Sequence, residues 1–306
     1  MSSMNAGTLY AISAYLLWGL LPLYWKLLKD VPASEILSHR IVWSFMLTVF
    51  LIALQRNRNW LTLLLKNNST LRYFIGSAII IGLNWFTYIW AVNHGFIVEA
   101  SLGYFINPLI SVILGVMILK EKLRSFQWFA ISIAAAGVMY LTFKYGSFPW
   151  ISFVLAFSFG FYGLLRKTAA LNSLQGLTVE MSFLFLPALI FLVLKEANGN
   201  AAFLHANWPQ NILLVLTGIV TTLPLLLFAA GARLIRLSKL GILQYIAPTL
   251  QFLIGVFIFH EQFPSSRFIG FVIIWIALAI YTGEGIYAFQ RRRRFVSADW
   301  EIKSKK

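Results

Sequence analysis

Ten blocks of nearly unbroken apolar residues run along this chain, separated by short polar segments. They cover Gly7–Leu28, Pro32–Leu54, Leu71–Val92, Glu99–Leu119, Ser125–Thr142, Pro149–Leu165, Leu177–Leu194, Ile212–Leu234, Leu240–Phe259 and Phe268–Tyr287. A helix that crosses roughly 30 Å of hydrocarbon needs about 20 such residues, so the pattern predicts ten membrane-spanning helices. The connections are too short to hold an inserted soluble domain, which leaves any function to the helix bundle. No Lys or Arg precedes the first block and no small-residue cleavage site follows it, so it reads as a retained span rather than a signal peptide.

A second pattern lies over the first. The run YFINPLISVILGVMILKEKLRS, from Tyr104 to Ser125, aligns without gaps on QYIAPTLQFLIGVFIFHEQFPS, from Gln244 to Ser265, at an offset of 140. The register matches Ile106 to Ile246, Pro108 to Pro248, Gly115 to Gly255, Val116 to Val256, Ile118 to Ile258, Glu121 to Glu261 and Ser125 to Ser265. Apolar composition alone rarely aligns a proline, a glycine and a glutamate together. At an offset of 141, Trp18, Gly19, Lys26 and His39 fall over Phe159, Gly160, Lys167 and Glu180. The chain therefore divides into a first five-helix repeat (1–145), a second (146–290) and a basic tail (291–306). Because five is odd, the second copy enters the membrane from the opposite face. The predicted fold is an all-α membrane protein with ten transmembrane helices as two inverted five-helix repeats, the layout of secondary transporters.

Composition sharpens this picture in two places. The chain is 59% hydrophobic and 11% charged, with mean hydropathy +0.78 over 306 residues, against roughly half and a quarter in soluble domains. Its net charge of +15 would suggest nucleic acid in a soluble protein. Here, however, 19 of the 25 Lys and Arg fall on the side shared by the two termini, 5 on the other, and Arg40 within a span. That is the positive-inside bias, so both termini are expected in the cytoplasm and no nucleic-acid partner is implied. The run Arg291–Arg294 reads as an anchor on an anionic leaflet. Cysteine is absent, which removes disulfides and thiolate metal sites.

Candidate site residues are the polar groups that the spans carry at a cost. An Arg at mid-membrane costs about 2.5–3.5 kcal/mol on insertion scales, and Arg40 lies roughly 10–12 Å deep at 1.5 Å per residue. His39 precedes it, Glu35 stands one turn above and Trp43 one turn below. Two readings stay open for Arg40: pairing with a carboxylate such as Glu180 or Glu99, or binding an anionic or polar substrate. Pro108 and Pro248 disturb the carbonyls of Tyr104 and Gln244, and freed backbone acceptors in hydrocarbon call for protein or a water-filled cavity. Gly103, Asn107, Ser111 and Gly115 form a stripe of small groups, read as helix packing, with Asn107 and its counterpart Gln251 as pore-facing candidates. Asn84 and Tyr88 share a face of the third span. With the aromatic residues around Trp18, Trp43 and Tyr162 they suit a flat organic molecule. The substrate set is thus His39, Arg40, Trp43, Asn84, Tyr88, Tyr104, Asn107, Gln244 and Gln251. For proton coupling the candidates are Glu99 and Glu180, with His39 beside them.

The runs LLWGLLPLYWKLL, ASEILSHRIVWS, NWFTYIWAVNH, EASLGYFINPLISVILG and LGILQYIAPTLQFLIGV resemble the EamA branch of the drug/metabolite transporter (DMT) superfamily, and its RarD group in particular, over nearly the whole chain. The resemblance implies a multi-pass bacterial inner-membrane permease or exporter of two inverted five-helix repeats, with cytoplasmic ends and a link to chloramphenicol sensitivity. It fixes neither a substrate nor a coupling residue. An intramembrane enzyme is opposed by the residues: the aspartates are Asp30 and Asp299 alone, and His39, His94, His205 and His260 are too scattered for a zinc motif. A channel would want a ring of like groups rather than two unequal halves. The partners expected are a small-molecule substrate and the lipid bilayer, with proton coupling a candidate, no cofactor or metal, and a monomer or homodimer.

Overall fold

The computed structural model describes residues 3–55, 59–260, 268–285 and 287. These are helical almost throughout, and no strand occurs among them. The helices are α1 (Ser3–Leu27), α2 (Ala33–Leu54), α3 (Asn59–Lys66), α4 (Asn68–Asn93), α5 (Ile97–Met117), α6 (Ser125–Tyr145), α7 (Trp150–Thr168), α8 (Ser173–Ala197), α9 (Trp208–Leu234), α10 (Leu237–Leu243), α11 (Ile246–Leu253) and α12 (Phe268–Gly285), with a π-helical stretch at Ile254–Ile258. Among the described residues nine helices are long and apolar enough to cross a membrane, counting α10 to Ile258 as one. The tenth by position is α7, whose 19 residues include Ser152, Ser158, Arg166 and Lys167. Its polar content matches its place, since Ser152, Ser158 and Arg166 are buried while Trp150, Phe157 and Phe161 form an exposed apolar face.

Side-chain caps explain where several helices begin. Asn67 accepts from the amides of Ser69 and Thr70, which starts α4 three residues before the apolar block does. Asn172 and Gln175 exchange bonds as a capping box at α8, and Asn207 accepts from Gln210 at α9. Helix α3 falls in a segment the hydrophobic pattern left as a connection. Trp60 and Leu64 face inward, against Phe74, Ala169, Leu171 and Val179.

The ninth span departs most from expectation. It begins earlier, at Leu237, and breaks at Gln244–Tyr245. Pro248 has no N–H to offer the Gln244 carbonyl, which instead accepts from the Ala247 amide at 3.2 Å in a tighter turn. By contrast α5 passes through Pro108 without interruption.

Two compact units are present. The smaller pairs α6 with α12: Gly137 faces Ile273 and Ile274, Gly270 faces Leu141, and Arg124 pairs with Glu284 at 2.6 Å. The larger holds every other helix, and its packing repeats itself. Helix α1 runs antiparallel to α9, through Gly7 against Leu234 and Tyr15 against Phe228. In the same manner α7 runs antiparallel to α4, with Asn84 Nδ2 donating to the Leu155 carbonyl and Tyr73 to that of Leu165. A Cβ on Gly19 would sit 2.7 Å from Leu250, and one on Gly160 would sit 2.7 Å from Ile110. The matched glycines thus press on residues that are themselves matched at an offset of 140. Large apolar side chains such as Phe50, Ile79, Phe86, Leu186 and Val193 remain on the outside, where lipid receives them.

Candidate functional site

Helices α1, α2, α4, α5, α7, α9 and α11, with Gln244 at the break before α11, enclose a cavity of about 180 Å³ within the larger unit. An apolar cavity of roughly 150 Å³ admits benzene, so this volume takes a single-ring molecule. Seven of its eighteen lining residues are aromatic, Tyr15, Trp18, Trp25, Trp85, Tyr88, Tyr104 and Phe159, and six more are polar.

Among the described residues Arg40 is the one cation on that wall. Its guanidinium carbon lies 5.2 Å from the centre of the Trp25 ring and 5.1 Å from that of Trp85, so two indoles flank the charge. Cation–π attraction of this kind contributes about 0.5–2 kcal/mol per ring, more where water is excluded. Nε donates to the Thr221 hydroxyl at 2.9 Å. Among the described residues no carboxylate lies within ion-pairing distance of Arg40. Four guanidinium N–H groups are left for whatever enters the cavity.

Around this cation, Tyr88 and Tyr104 stand edge to face, with ring centres 6.1 Å apart. Asn84 is held by α7 through the Leu155 carbonyl at 3.0 Å and the Ser158 hydroxyl at 2.8 Å, and Gln251 reaches the Trp18 carbonyl at 3.2 Å. Gln244 and Asn107 complete the polar wall. Asn107 is buried and its Oδ1 has no hydrogen-bond partner, a state that costs about 1–3 kcal/mol unless a ligand or water answers it.

Seven of the nine substrate candidates therefore meet in one cavity: Arg40, Asn84, Tyr88, Tyr104, Asn107, Gln244 and Gln251. His39 and Trp43 lie outside its wall, packed on Phe203 with ring centres 4.8 and 6.2 Å away. Glu99 is buried at the α5–α7 contact, accepting from the Ile151 amide at 2.8 Å. Glu180 receives Ser77 at 2.6 Å, Tyr162 at 3.1 Å and Arg166 at 3.2 Å, forming a buried ion pair away from the cavity. Arg166, counted by sequence among cytoplasmic end charges, is 1% exposed.

Trp25 and Thr221 were not anticipated as site residues, and Trp85 was not linked to Arg40. The signal available was the cost of Arg40 itself, since a cation in hydrocarbon without a carboxylate needs aromatic faces and hydroxyls.

The EamA-like transporter family matches the chain twice, at residues 5–143 and 149–283. An uncharacterised transporter of Bacillus subtilis, YojE, is 50% identical over 280 residues, which cover 90% of this chain and 93% of that one. The protein RarD of Escherichia coli is 43% identical over 286 residues, 94% and 96% of the two chains. A solved crystal structure that is 19% identical superposes with a TM-score of 0.66 over 91% of this chain and 97% of the other, which supports the fold. Helical, matched twice by the family model, and with a partly polar cavity in its larger unit and these relatives, the chain belongs to the EamA-like transporter family, in its RarD group.

Proposed function

We propose that this protein carries a small organic anion with a flat aromatic body across the bacterial inner membrane by alternating access. The two five-helix halves, 1–145 and 146–290, lie inverted in the bilayer and rock about the cavity. Both termini face the cytoplasm, and the basic segment 291–306, outside the described residues, rests on the anionic leaflet. One observation carries the reading: Arg40 enters an aromatic-lined cavity between two indoles with most of its donors unspent and, among the described residues, no carboxylate beside it. A carboxylate or sulfonate bonded to that edge would place its ring among Trp18, Tyr88, Tyr104 and Phe159.

The test is tracer flux into liposomes holding the purified protein, with one ring in three charge states: 4-toluenesulfonate, 4-toluenesulfonamide and benzyltrimethylammonium. Saturable flux of the sulfonate, at least tenfold above the other two, is the expected result; preference for the cation would contradict it. Chloramphenicol, a neutral molecule, should compete weakly. Saturation also separates a carrier from a channel, and recovery of unaltered tracer separates it from an enzyme.

A further inference from the structure

One buried pair of titratable groups lies outside the cavity and has no part in the reading above. Glu35 and His39, one turn apart on α2, are 0% and 3% exposed. Glu35 Oε1 accepts from the backbone amides of Ala202 at 2.7 Å and Phe203 at 3.2 Å, which ties the connection between α8 and α9 to α2. The same oxygen lies 4.0 Å from His39 Nε2. Two atoms of the pair, Glu35 Oε2 and His39 Nε2, are buried with no hydrogen-bond partner.

Trp43 decides where a proton can go. Its indole N–H donates to His39 Nδ1 at 3.2 Å, so Nδ1 must keep its lone pair and the imidazole proton sits on Nε2. A second proton on the imidazole would break that bond. The proton this pair can take up therefore adds to Glu35 Oε2, the bare acceptor. Among the described residues no further ion pair reaches Glu35 or His39. The connection offers the two amides and the Phe203 ring, and Leu213 and Leu214 of α9 belong to an apolar cluster with Ile36, Ala202 and Phe203. Tyr24 of α1, in the same cluster, has committed its hydroxyl to the Leu213 carbonyl. Arg40 is turned to Thr221 and the cavity.

We infer that Glu35, with His39 and Trp43 directing the proton to it, is a proton-binding site whose loading couples transport to the pH gradient. Loading neutralises a buried charge and weakens the charge-assisted bonds that hold the Ala202–Phe203 amides. Because the same helix presents Arg40 to the cavity, loosening that clamp frees α2 to move with the bound anion. The coupling step rests on the transport reading, whereas the proton site does not.

The experiment uses the full chain in liposomes. Infrared difference spectra on acidification should show a protonated-carboxyl band that is lost in Glu35→Gln and kept in Asp30→Asn, a change at an exposed turn. In Trp43→Phe, where Nδ1 is freed to take the proton, the band should fall. In His39→Gln, which removes the neighbouring imidazole, the band should change in position or size. If Glu35→Gln cannot be reconstituted, the Trp43→Phe and His39→Gln spectra decide alone. In parallel, the ratio of 4-toluenesulfonate accumulation with and without an imposed pH gradient should fall to about one in Glu35→Gln, against at least tenfold in the parent chain. A carboxyl band unchanged in Glu35→Gln, or equally unmoved in both other variants, overturns the site. A gradient response retained by Glu35→Gln overturns the coupling. A titrating band with no sulfonate flux supports the proton site and removes the anion reading of the cavity.

Discussion

Lys120 and His260 share a backbone φ of 52° and stand 140 positions apart, each just beyond the span that contains a matched proline. A non-glycine residue in the left-handed region costs about 1–2 kcal/mol, and here the same strained turn recurs with different side chains. The relation extends inward, where Tyr245 donates its hydroxyl to the Phe105 carbonyl at 3.2 Å and Trp18 meets Phe159 at 5.6 Å between ring centres. In both contacts the partners are equivalents of each other across the repeat, as residues near a shared two-fold axis would be. Lys120→Gly and His260→Gly should each stabilise the protein, by about 1 kcal/mol. Thermal unfolding in detergent measures it, and a loss of stability in both would show that the turns are not strained.

Replacing Arg40 tests the cavity. Arg40→Gln should weaken 4-toluenesulfonate binding by roughly 10- to 100-fold, the equivalent of the 1.5–3 kcal/mol typical of a hydrogen bond to a charged group. Arg40→Lys should recover only part of this, because an ammonium lacks the planar fork that lies between two indoles. Tracer competition gives both affinities, and an unchanged value for Arg40→Gln would take the residue out of the site.

Glu180 and Arg166 should behave as a structural pair. Removing one partner of a buried ion pair costs about 3–5 kcal/mol, so Glu180→Gln should unfold at markedly lower temperature. The double change Glu180→Leu with Arg166→Met should be less harmful than the sum of its parts. Full stability of Glu180→Gln together with a lost gradient response would instead give Glu180 the coupling role.

Close approach at Gly241 supplies a packing test. A Cβ there would lie 2.7 Å from the Pro108 carbonyl oxygen, a backbone atom that cannot swing aside. Gly241→Ala should cost about 1–3 kcal/mol. Gly76, inside α4, is the control, because a methyl group added there would meet nothing within 4 Å. Gly76→Ala should be neutral or stabilising by up to about 1 kcal/mol. Equal effects at the two glycines, measured by thermal unfolding, would contradict the packing of α10 on α5.

The spans, the repeat and most of the polar groups that meet on the cavity wall were legible in the sequence because each is written in local composition or in register. The orientation of α2 was not. His39 and Arg40 are adjacent and about 100° apart around the helix, and a helix apolar on all sides carries no stripe to say which faces a cavity. Hence His39 and Trp43 were grouped with Arg40, although they pack on Phe203. The partner of Glu180 was missed for a related reason, as Arg166 sits near a span end where a solvated charge is the common case. The amphipathic α3 was hidden because its eight residues are too few to register as a span. The break at Gln244 depends on whether tertiary contacts straighten a proline-containing helix, as they do at Pro108 and not at Pro248.

The central claim, proposed above, is that two copies of one fold lie in opposite orientation in the membrane. The chain has no cysteine, so Lys120→Cys and His260→Cys each introduce a lone thiol at equivalent turns. With a membrane-impermeant maleimide applied to intact cells and then to permeabilised ones, His260→Cys should label in intact cells and Lys120→Cys only after permeabilisation. Labelling of both thiols from the same side would contradict the account.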